Sequence, residues 1–395
     1  MNATPRRRLA ILIATVASLL ATLAVPTGAS ALCSGSTTTG PHVAWRLTID
    51  RDPCSPAYID ARGNTIWALV HDGSRFIGVG TDRASAFDTP QAAAFTSTDG
   101  RSWTLGTVPF DGARFDQSDL RLATAAGLTV LVGPEVAASS TDGTAWRVGR
   151  APDSGSTIVG AAGRAGRWIA VGFTTRAAGA TFWTSTNGRD WSRLRHRSAF
   201  DRFCPTDIAA NGSTFVAVGS ACDNPYGVVL TSRDGLTWTR RTLPTSRDTA
   251  LRAVTATPTG FLAAGDDESA RGVRGSGIWS SRDGASWRRV AFFSAFRAGE
   301  AMQRIVVTTA GVVAIADRGG LTDGLGPTAF YSPTGTSEWH RDSGLPNPGY
   351  GSEDGDLITG AAASGGRVVV SGWFNDPDPG FSSTGGLFWT GDVRS

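Results

Sequence analysis

Residues 97–103 read Ser-Thr-Asp-Gly-Arg-Ser-Trp, and this arrangement of serine, aspartate, glycine and tryptophan recurs along the chain. The tryptophans of successive copies lie 43, 45, 47, 49 and 52 residues apart. A period of that length is typical of repeat folds in which each copy is one small unit of structure. The further copies occupy residues 140–146, 185–191, 232–238 and 281–287, with a more divergent copy from Ser332 to Trp339.

Each copy is preceded by short apolar runs that are separated by turn signals. One example is the run 208–210, the turn signal Asn211-Gly212 and the second run 215–219. One repeat therefore reads as strand, tight turn, strand, variable loop, strand, Asp-Gly turn and strand. Four antiparallel strands in every repeat predict the blade of a β-propeller.

The number of blades follows from a mismatch between the two ends of the chain. Seven second-strand runs are present, but only six turn motifs lead to a tryptophan. The seventh repeat stops after Trp389, while residues 43–49 around Trp45 match the missing fourth strand. We therefore predict an all-β, seven-bladed propeller of four-stranded antiparallel blades within residues 32–395. The N-terminal strand 43–49 closes the last blade and hides the sheet edges that an open ring would expose.

The repeated motif resembles the Asp-box, or BNR repeat, of sialidase-like β-propellers, but it lacks one residue between the aspartate and the glycine. The resemblance implies turns on the outer rim of the ring, away from any binding site. We expect the acidic residue to accept backbone N–H groups, the glycine to adopt positive φ and the tryptophan to pack between blades. These structural roles fall to Asp99, Asp142, Asn187, Asp234, Asp283, Trp103, Trp146, Trp191, Trp238 and Trp287.

The N-terminus and the cysteines both point to export. Residues 1–31 combine three arginines, an apolar run and Ala-Ser-Ala, which predicts a signal peptide; a retained membrane anchor is the alternative. The four cysteines form two local pairs, Cys33 with Cys54 and Cys204 with Cys222. An exported chain with an even number of cysteines is expected to form disulfides. Three connectivities are possible, and proximity favours these two pairs.

Charge and motif content exclude several classes of function. Without the three signal-peptide arginines, the chain carries 34 basic and 34 acidic residues, which argues against nucleic-acid binding. The four histidines are scattered and no metal, phosphate-loop or serine-hydrolase motif is present. We therefore expect a secreted monomer with no cofactor, no metal and no membrane span after cleavage.

The candidate ligand face is built from the loops between second and third strands and between blades. Several of these segments carry acidic residues together with aromatic rings, a combination suited to sugar binding. The candidate residues are Asp266, Asp267, Glu268, Asp317, Tyr350, Trp373, Asp376 and Asp378.

Two functions remain open. The first is a non-catalytic propeller that binds a protein or glycan partner through one face. The alternative is a glycoside hydrolase of sialidase-like or related type that uses carboxylates from the acidic segments. The Arg-Ile-Pro segment that the sialidase resemblance implies is absent, and residues 66–69 read Ile-Trp-Ala-Leu instead. No catalytic residue is carried over from that family, and the binding function is preferred.

Overall fold

The computed structural model describes residues 36–49, 65–82, 91–108, 120–164, 166–174, 179–224, 226–243, 249–268, 274–294, 301–317, 327–346, 358–375 and 384–394. The predictions on the signal peptide and on Cys33, Cys54, Tyr350, Asp376 and Asp378 lie outside these residues. Within these ranges, no helix has the length and hydrophobicity needed to cross a lipid bilayer.

The described residues form seven antiparallel sheets, which we call blades 1 to 7. The chain begins with β1 (Thr37–Thr39) and β2 (Val43–Ile49). Blade 1 follows with β3 (Thr65–His71), β4 (Phe76–Asp82), β5 (Gln91–Ser97) and β6 (Thr104–Thr107). Blade 2 contains β7 (Arg121–Ala125), β8 (Leu128–Gly133), β9 (Val136–Ser140) and β10 (Arg147–Val148). Blade 3 contains β11 (Ser156–Arg164), β12 (Arg167–Thr174), β13 (Thr181–Ser185) and β14 (Ser192–Arg193), followed by a 3-10 helix, Ser198–Phe200.

The remaining blades repeat the same order. Blade 4 contains β15 (Phe203–Ala210), β16 (Phe215–Ala221), β17 (Gly227–Ser232) and β18 (Thr239–Thr242). Blade 5 contains β19 (Ala250–Thr257), β20 (Gly260–Glu268), β21 (Arg274–Ser281) and β22 (Arg288–Phe293). Blade 6 contains β23 (Ala301–Thr308), β24 (Gly311–Asp317), β25 (Thr328–Ser332) and β26 (His340–Gly344). Blade 7 contains β27 (Ile358–Ser364), β28 (Arg367–Asn375) and β29 (Thr384–Val393), together with β2 and β1.

The N-terminal strand closes the ring, as predicted. β2 pairs antiparallel with β29, so that Leu47 lies opposite Trp389. The backbone N–H groups of His42 and Val43 donate to the carboxylate of Asp342 in blade 6, at 2.8 and 3.1 Å. The closing strand is therefore held by the blade before it as well as by its own sheet.

Blade 7 differs from the prediction in having a fifth strand. β1 pairs with the outer edge of β2, and Gly40 donates its N–H to the carbonyl oxygen of Val43 to make the connecting turn. A run of three threonines has no apolar alternation, so the sequence pattern does not reveal this strand.

The repeated turns form the hydrogen bonds expected of them. In blade 2, the Asp142 carboxylate accepts the N–H groups of Thr144 and Ala145, both at 2.8 Å. These backbone bonds lower the pKa of Asp142 below its usual value. The Asn187 side-chain oxygen accepts the equivalent two bonds in blade 3, at 3.0 and 2.9 Å. Both acceptors therefore stabilise the same turn.

The turn residues also join neighbouring blades. Gly100 has a φ of +70°, and a Cβ atom there would meet Val369 of blade 7 at 2.2 Å. Glycine is therefore required both by the backbone conformation and by the close approach of the adjacent blade. Trp238 lies between blades 3 and 4, with its ring centroid 4.6 Å from that of Phe182 and 6.5 Å from that of Phe215. Its N–H donates to the carbonyl oxygen of Gly235.

A disulfide connects Cys204 and Cys222, as predicted from their proximity in sequence. It links the start of β15 to the residue that follows β16. This position places the disulfide at the end of blade 4 where the chain enters the centre of the ring.

Candidate functional site

The first strands of the seven blades surround a central channel. β3, β7, β11, β15, β19, β23 and β27 each contact the first strands of both neighbouring blades. They enclose a cavity of about 640 Å³. That volume is within the range of sites that bind small molecules.

Six of the first strands have a break in register near the start of the strand. The pairing with the second strand skips one residue in every blade except blade 2. A β-bulge of this kind redirects a side chain and often lies beside a functional site. The skipped residues all line the channel and are Trp67, Val159, Thr206, Arg252, Gln303 and Thr359.

Three arginines line this channel. Arg121, in blade 2, donates its Nε–H to the carbonyl oxygen of Val159 in blade 3 at 2.8 Å. Arg304, in blade 6, donates through Nη2 to the carbonyl oxygen of Thr359 in blade 7 at 2.9 Å. Both guanidinium groups connect neighbouring blades through these hydrogen bonds.

The third arginine is paired with an acid. Arg252 donates to the carboxylate of Asp266 through Nε and Nη2, at 3.0 and 2.8 Å. Asp266 was predicted as a ligand-face residue, and it lies opposite Ala250 where β20 pairs with β19. The ion pair orients a guanidinium group at the channel and balances its charge.

A single carboxylate, that of Asp207, lines the channel directly among the described residues. One of its oxygens accepts the N–H of Ile208 at 2.8 Å, and the other accepts the N–H of Val254 in blade 5 at 2.9 Å. Its side chain borders the channel and is partly buried within the ring. Burial raises the pKa of Asp207 to about 6, whereas the bond from Val254 and the charges of Arg304 and Arg121 oppose the rise.

Aromatic surface also borders the channel near the start of the first strands. Trp67 lines the cavity and is half-buried. Trp373, another predicted ligand-face residue, lies beside it with the ring centroids 6.1 Å apart and the planes inclined by 44°. The pair places an apolar surface close to the charged groups.

The other predicted acids occupy different environments. Asp266, Asp267 and Glu268 continue strand β20 and do not form the acidic loop expected from the sequence. Since neighbouring strand residues point to opposite faces, Asp267 turns away from Asp266. Asp267 is buried and accepts a bond from Arg289 at 2.6 Å. Asp317 is also buried, and it accepts the N–H of Ile358 at 3.1 Å.

Four charged residues of the first strands were not predicted from the sequence: Arg121, Asp207, Arg252 and Arg304. A usable signal was present. These strands form the centre of the ring and are otherwise rich in apolar residues, so a charge within them is costly unless it has a partner or a ligand.

Comparison with known proteins supports the fold alone. No family model matches the chain, and no curated protein sequence matches it. Hydrazine synthase from Kuenenia stuttgartiensis aligns with 10% identity and a TM-score of 0.51 over 78% of this chain and 92% of that one. The WD40 domain of Neurospora crassa Pan2 aligns with 8% identity and a TM-score of 0.50 over 89% and 96%. The resemblance to Asp-box propellers therefore stays a prediction.

Proposed function

We propose that this propeller binds a glycan through a carboxylate-bearing sugar at the channel, without catalysing its cleavage. The observation that carries the proposal is the presence of three guanidinium groups, those of Arg121, Arg252 and Arg304, around one cavity. Guanidinium groups recognise carboxylates by charge and by paired hydrogen bonds. The hydroxyl groups of Thr206 and Thr359 line the same cavity and suit the polar edge of a sugar. The Trp67 ring suits its apolar face.

The charge of the site favours an anion. Among the described residues at the channel, the three arginines accompany two carboxylates, those of Asp207 and Asp266. Protonation of Asp207 below its pKa of about 6 increases the positive charge further. We therefore expect the affinity for a sugar acid to rise as the pH falls from 7 to 5.

The engagement of the carboxylates supports binding over hydrolysis. A glycosidase needs two carboxyl groups on either side of the scissile bond, about 5–10 Å apart. Asp267 and Asp317 are buried inside blades, and Asp266 is paired with Arg252. Asp207 is the remaining described candidate, and both of its oxygens already accept backbone N–H groups.

One observation favours the alternative of a glycoside hydrolase. A carboxyl group with a pKa near 6 has the property required of a general acid. A fluorogenic sialoside provides the direct assay. We expect no turnover above background; turnover that disappears in Asp207→Asn would replace the binding proposal by the enzymatic one.

The binding proposal is tested by calorimetry with galacturonic acid and with galactose, which lacks the carboxylate. We expect binding of the acid only, weakened at least tenfold in Arg304→Gln. Arg147→Gln is the matched control, because Arg147 is exposed on the outer strand of blade 2. Circular dichroism at the same temperature confirms that both variants are folded. Equal affinity for the acid and for galactose contradicts the proposal.

We also infer that the protein acts outside the cytoplasm. The Cys204–Cys222 disulfide supports an oxidising environment, and the sequence predicts cleavage after residue 31. N-terminal sequencing of protein recovered from the medium is expected to begin at Leu32. Recovery of the uncleaved chain with the membrane fraction would support the anchor instead.

A further inference from the structure

An arginine strip lies on the outer edge of blade 3. Residues 192–197 read Ser-Arg-Leu-Arg-His-Arg, continuing from β14 toward the 3-10 helix. Leu194 is half-buried and packs against the hydrophobic core between blades 3 and 4. Alternate residues of an extended chain point to opposite sides, so Arg193, Arg195 and Arg197 point to the face toward blade 2, where Nη2 of Arg193 donates to Oγ1 of Thr181 at 3.5 Å. All three are exposed.

Arg240 of blade 4 lies on the opposite face of this segment, the face of Leu194, and is not part of the strip. Arg240, at the outer strand of blade 4, donates through Nη1 to the carbonyl oxygen of Asp201. The Asp201 carboxylate lies 2.9 Å from Nε2 of His196. Asp201 therefore contacts Arg240 and His196 on that face, whereas Arg193, Arg195 and Arg197 form no ion pair among the described residues. The strip is therefore strongly basic although the chain as a whole is close to neutral.

The strip lies at the end of the ring where the first strands of the blades begin. The charged residues of the channel lie at this same end. The chain passes from Arg197 through the 3-10 helix directly into β15, which carries Asp207 near its start. Outer and inner strands of a blade are separated by three inter-strand spacings of about 4.8 Å, or roughly 15 Å. A linear ligand several sugars long can therefore contact both places.

We propose that the arginine strip (Arg193, Arg195 and Arg197) binds the continuing chain of an acidic polysaccharide of which one sugar acid occupies the channel. The inference rests on the proposed function, and it adds that the ligand is a polyanion. Successive arginines of the strip are about 6.7 Å apart in an extended chain. They meet a row of charges on the ligand, whereas a neutral glycan offers them none.

The surroundings of the strip favour a polysaccharide over a nucleic acid. Proteins that bind single-stranded nucleic acids stack the bases on exposed aromatic rings. The aromatic residues that flank the segment in sequence, Trp191 and Phe200, are 2% and 1% exposed, and the exposed ring of His196 lies on the opposite face, beside Asp201. Trp191 and Phe200 belong to the packing between blades and offer no stacking surface.

The test compares polygalacturonate with galacturonic acid on two triple variants of the full mature chain. The first is Arg193→Gln/Arg195→Gln/Arg197→Gln. The control is Arg46→Gln/Arg147→Gln/Arg288→Gln, which removes the same charge from exposed positions on blades 7, 2 and 5. We expect the first variant to bind the polymer at least tenfold more weakly and the monomer within twofold of the wild type. The control should bind both as the wild type does.

The salt dependence supplies a second readout. Each arginine that no longer pairs with an anionic group of a polyanion lowers the slope of log affinity against log salt by about 0.7–0.9. The first variant should therefore have a slope smaller by roughly two units, and the control should have the slope of the wild type. An equal weakening of polymer binding in the two variants would overturn the inference, even where the wild type binds the monomer. Failure of the wild type to bind the monomer instead contradicts the proposed function. Tighter binding of oligothymidylate than of polygalacturonate at equal salt would show that the ligand class is wrong.

Discussion

Replacing Asp207 with asparagine changes the pH dependence of stability in a direction that the structure fixes. The carboxyl group is surrounded by the ring and has a pKa of about 6 in the folded protein, compared with 3.8 for an ordinary aspartate. Between these two values the folded protein holds a proton that the unfolded chain has released. Stability contributed by the neutral carboxyl is therefore lost as the pH rises through this window.

The magnitude follows from the difference between the two pKa values. Each pKa unit corresponds to about 1.36 kcal/mol, so roughly two units correspond to about 3 kcal/mol. The Asp207→Asn variant has no proton to lose at this position. Relative to the variant, the free energy of unfolding of the wild type should fall by about 2–3 kcal/mol between pH 4 and pH 7.

The assay is urea unfolding of both proteins at half-unit pH intervals from 4 to 7.5. The absolute offset between the curves is not informative, because an amide has one acceptor oxygen for the two N–H groups of Ile208 and Val254. That offset is independent of pH, and all other titrating groups cancel in the difference. Parallel curves across the window would refute the argument for a buried, proton-binding carboxyl in the channel.

Three further perturbations test the ring itself. Asp142→Ala should lower stability by about 1 kcal/mol in urea unfolding, whereas Asp142→Asn should cost less, since Asn187 makes the same two bonds in blade 3. Serine at both Cys204 and Cys222 should cost about 3 kcal/mol, because the bridge closes a loop with a sequence separation of 18; unchanged stability would contradict this. Trp45→Ala should cost about 3–5 kcal/mol, since the indole is buried between blades 6 and 7; an unaltered melting curve would argue against closure by β2.

The architecture was predictable because its determinants are local and repeated. A serine, an acid or amide, a glycine and a tryptophan specify each turn, and the hydrogen bonds around Asp142 and Asn187 depend on residues three apart. Even closure could be inferred, because Trp45 follows the same pattern as the tryptophans after the turns. The strand β1 could not be inferred in this way, since its sequence has no such pattern and it pairs only with β2.

The candidate site was harder to predict because its residues come from different blades and are far apart in sequence. Acidic residues near Asp266 suggested a loop, but β20 extends through Glu268 and sends alternate side chains to opposite faces. Trp373 lies beside Trp67 of the channel only because blade 7 packs against blade 1. Asp207 owes its environment to the N–H of Val254 in the next blade.

The repetition of the ring offers an internal way to separate function from fold. A residue that the fold needs recurs from blade to blade, as the turn serine does in six of the seven. At the bulges the backbone repeats but the side chains do not, since Trp67, Val159, Arg252 and Gln303 occupy equivalent places. The propeller geometry therefore does not dictate these side chains. Charges at the centre of a protein carry a desolvation cost, which the hydrogen bonds between blades offset in part and which the proposed ligand would offset further.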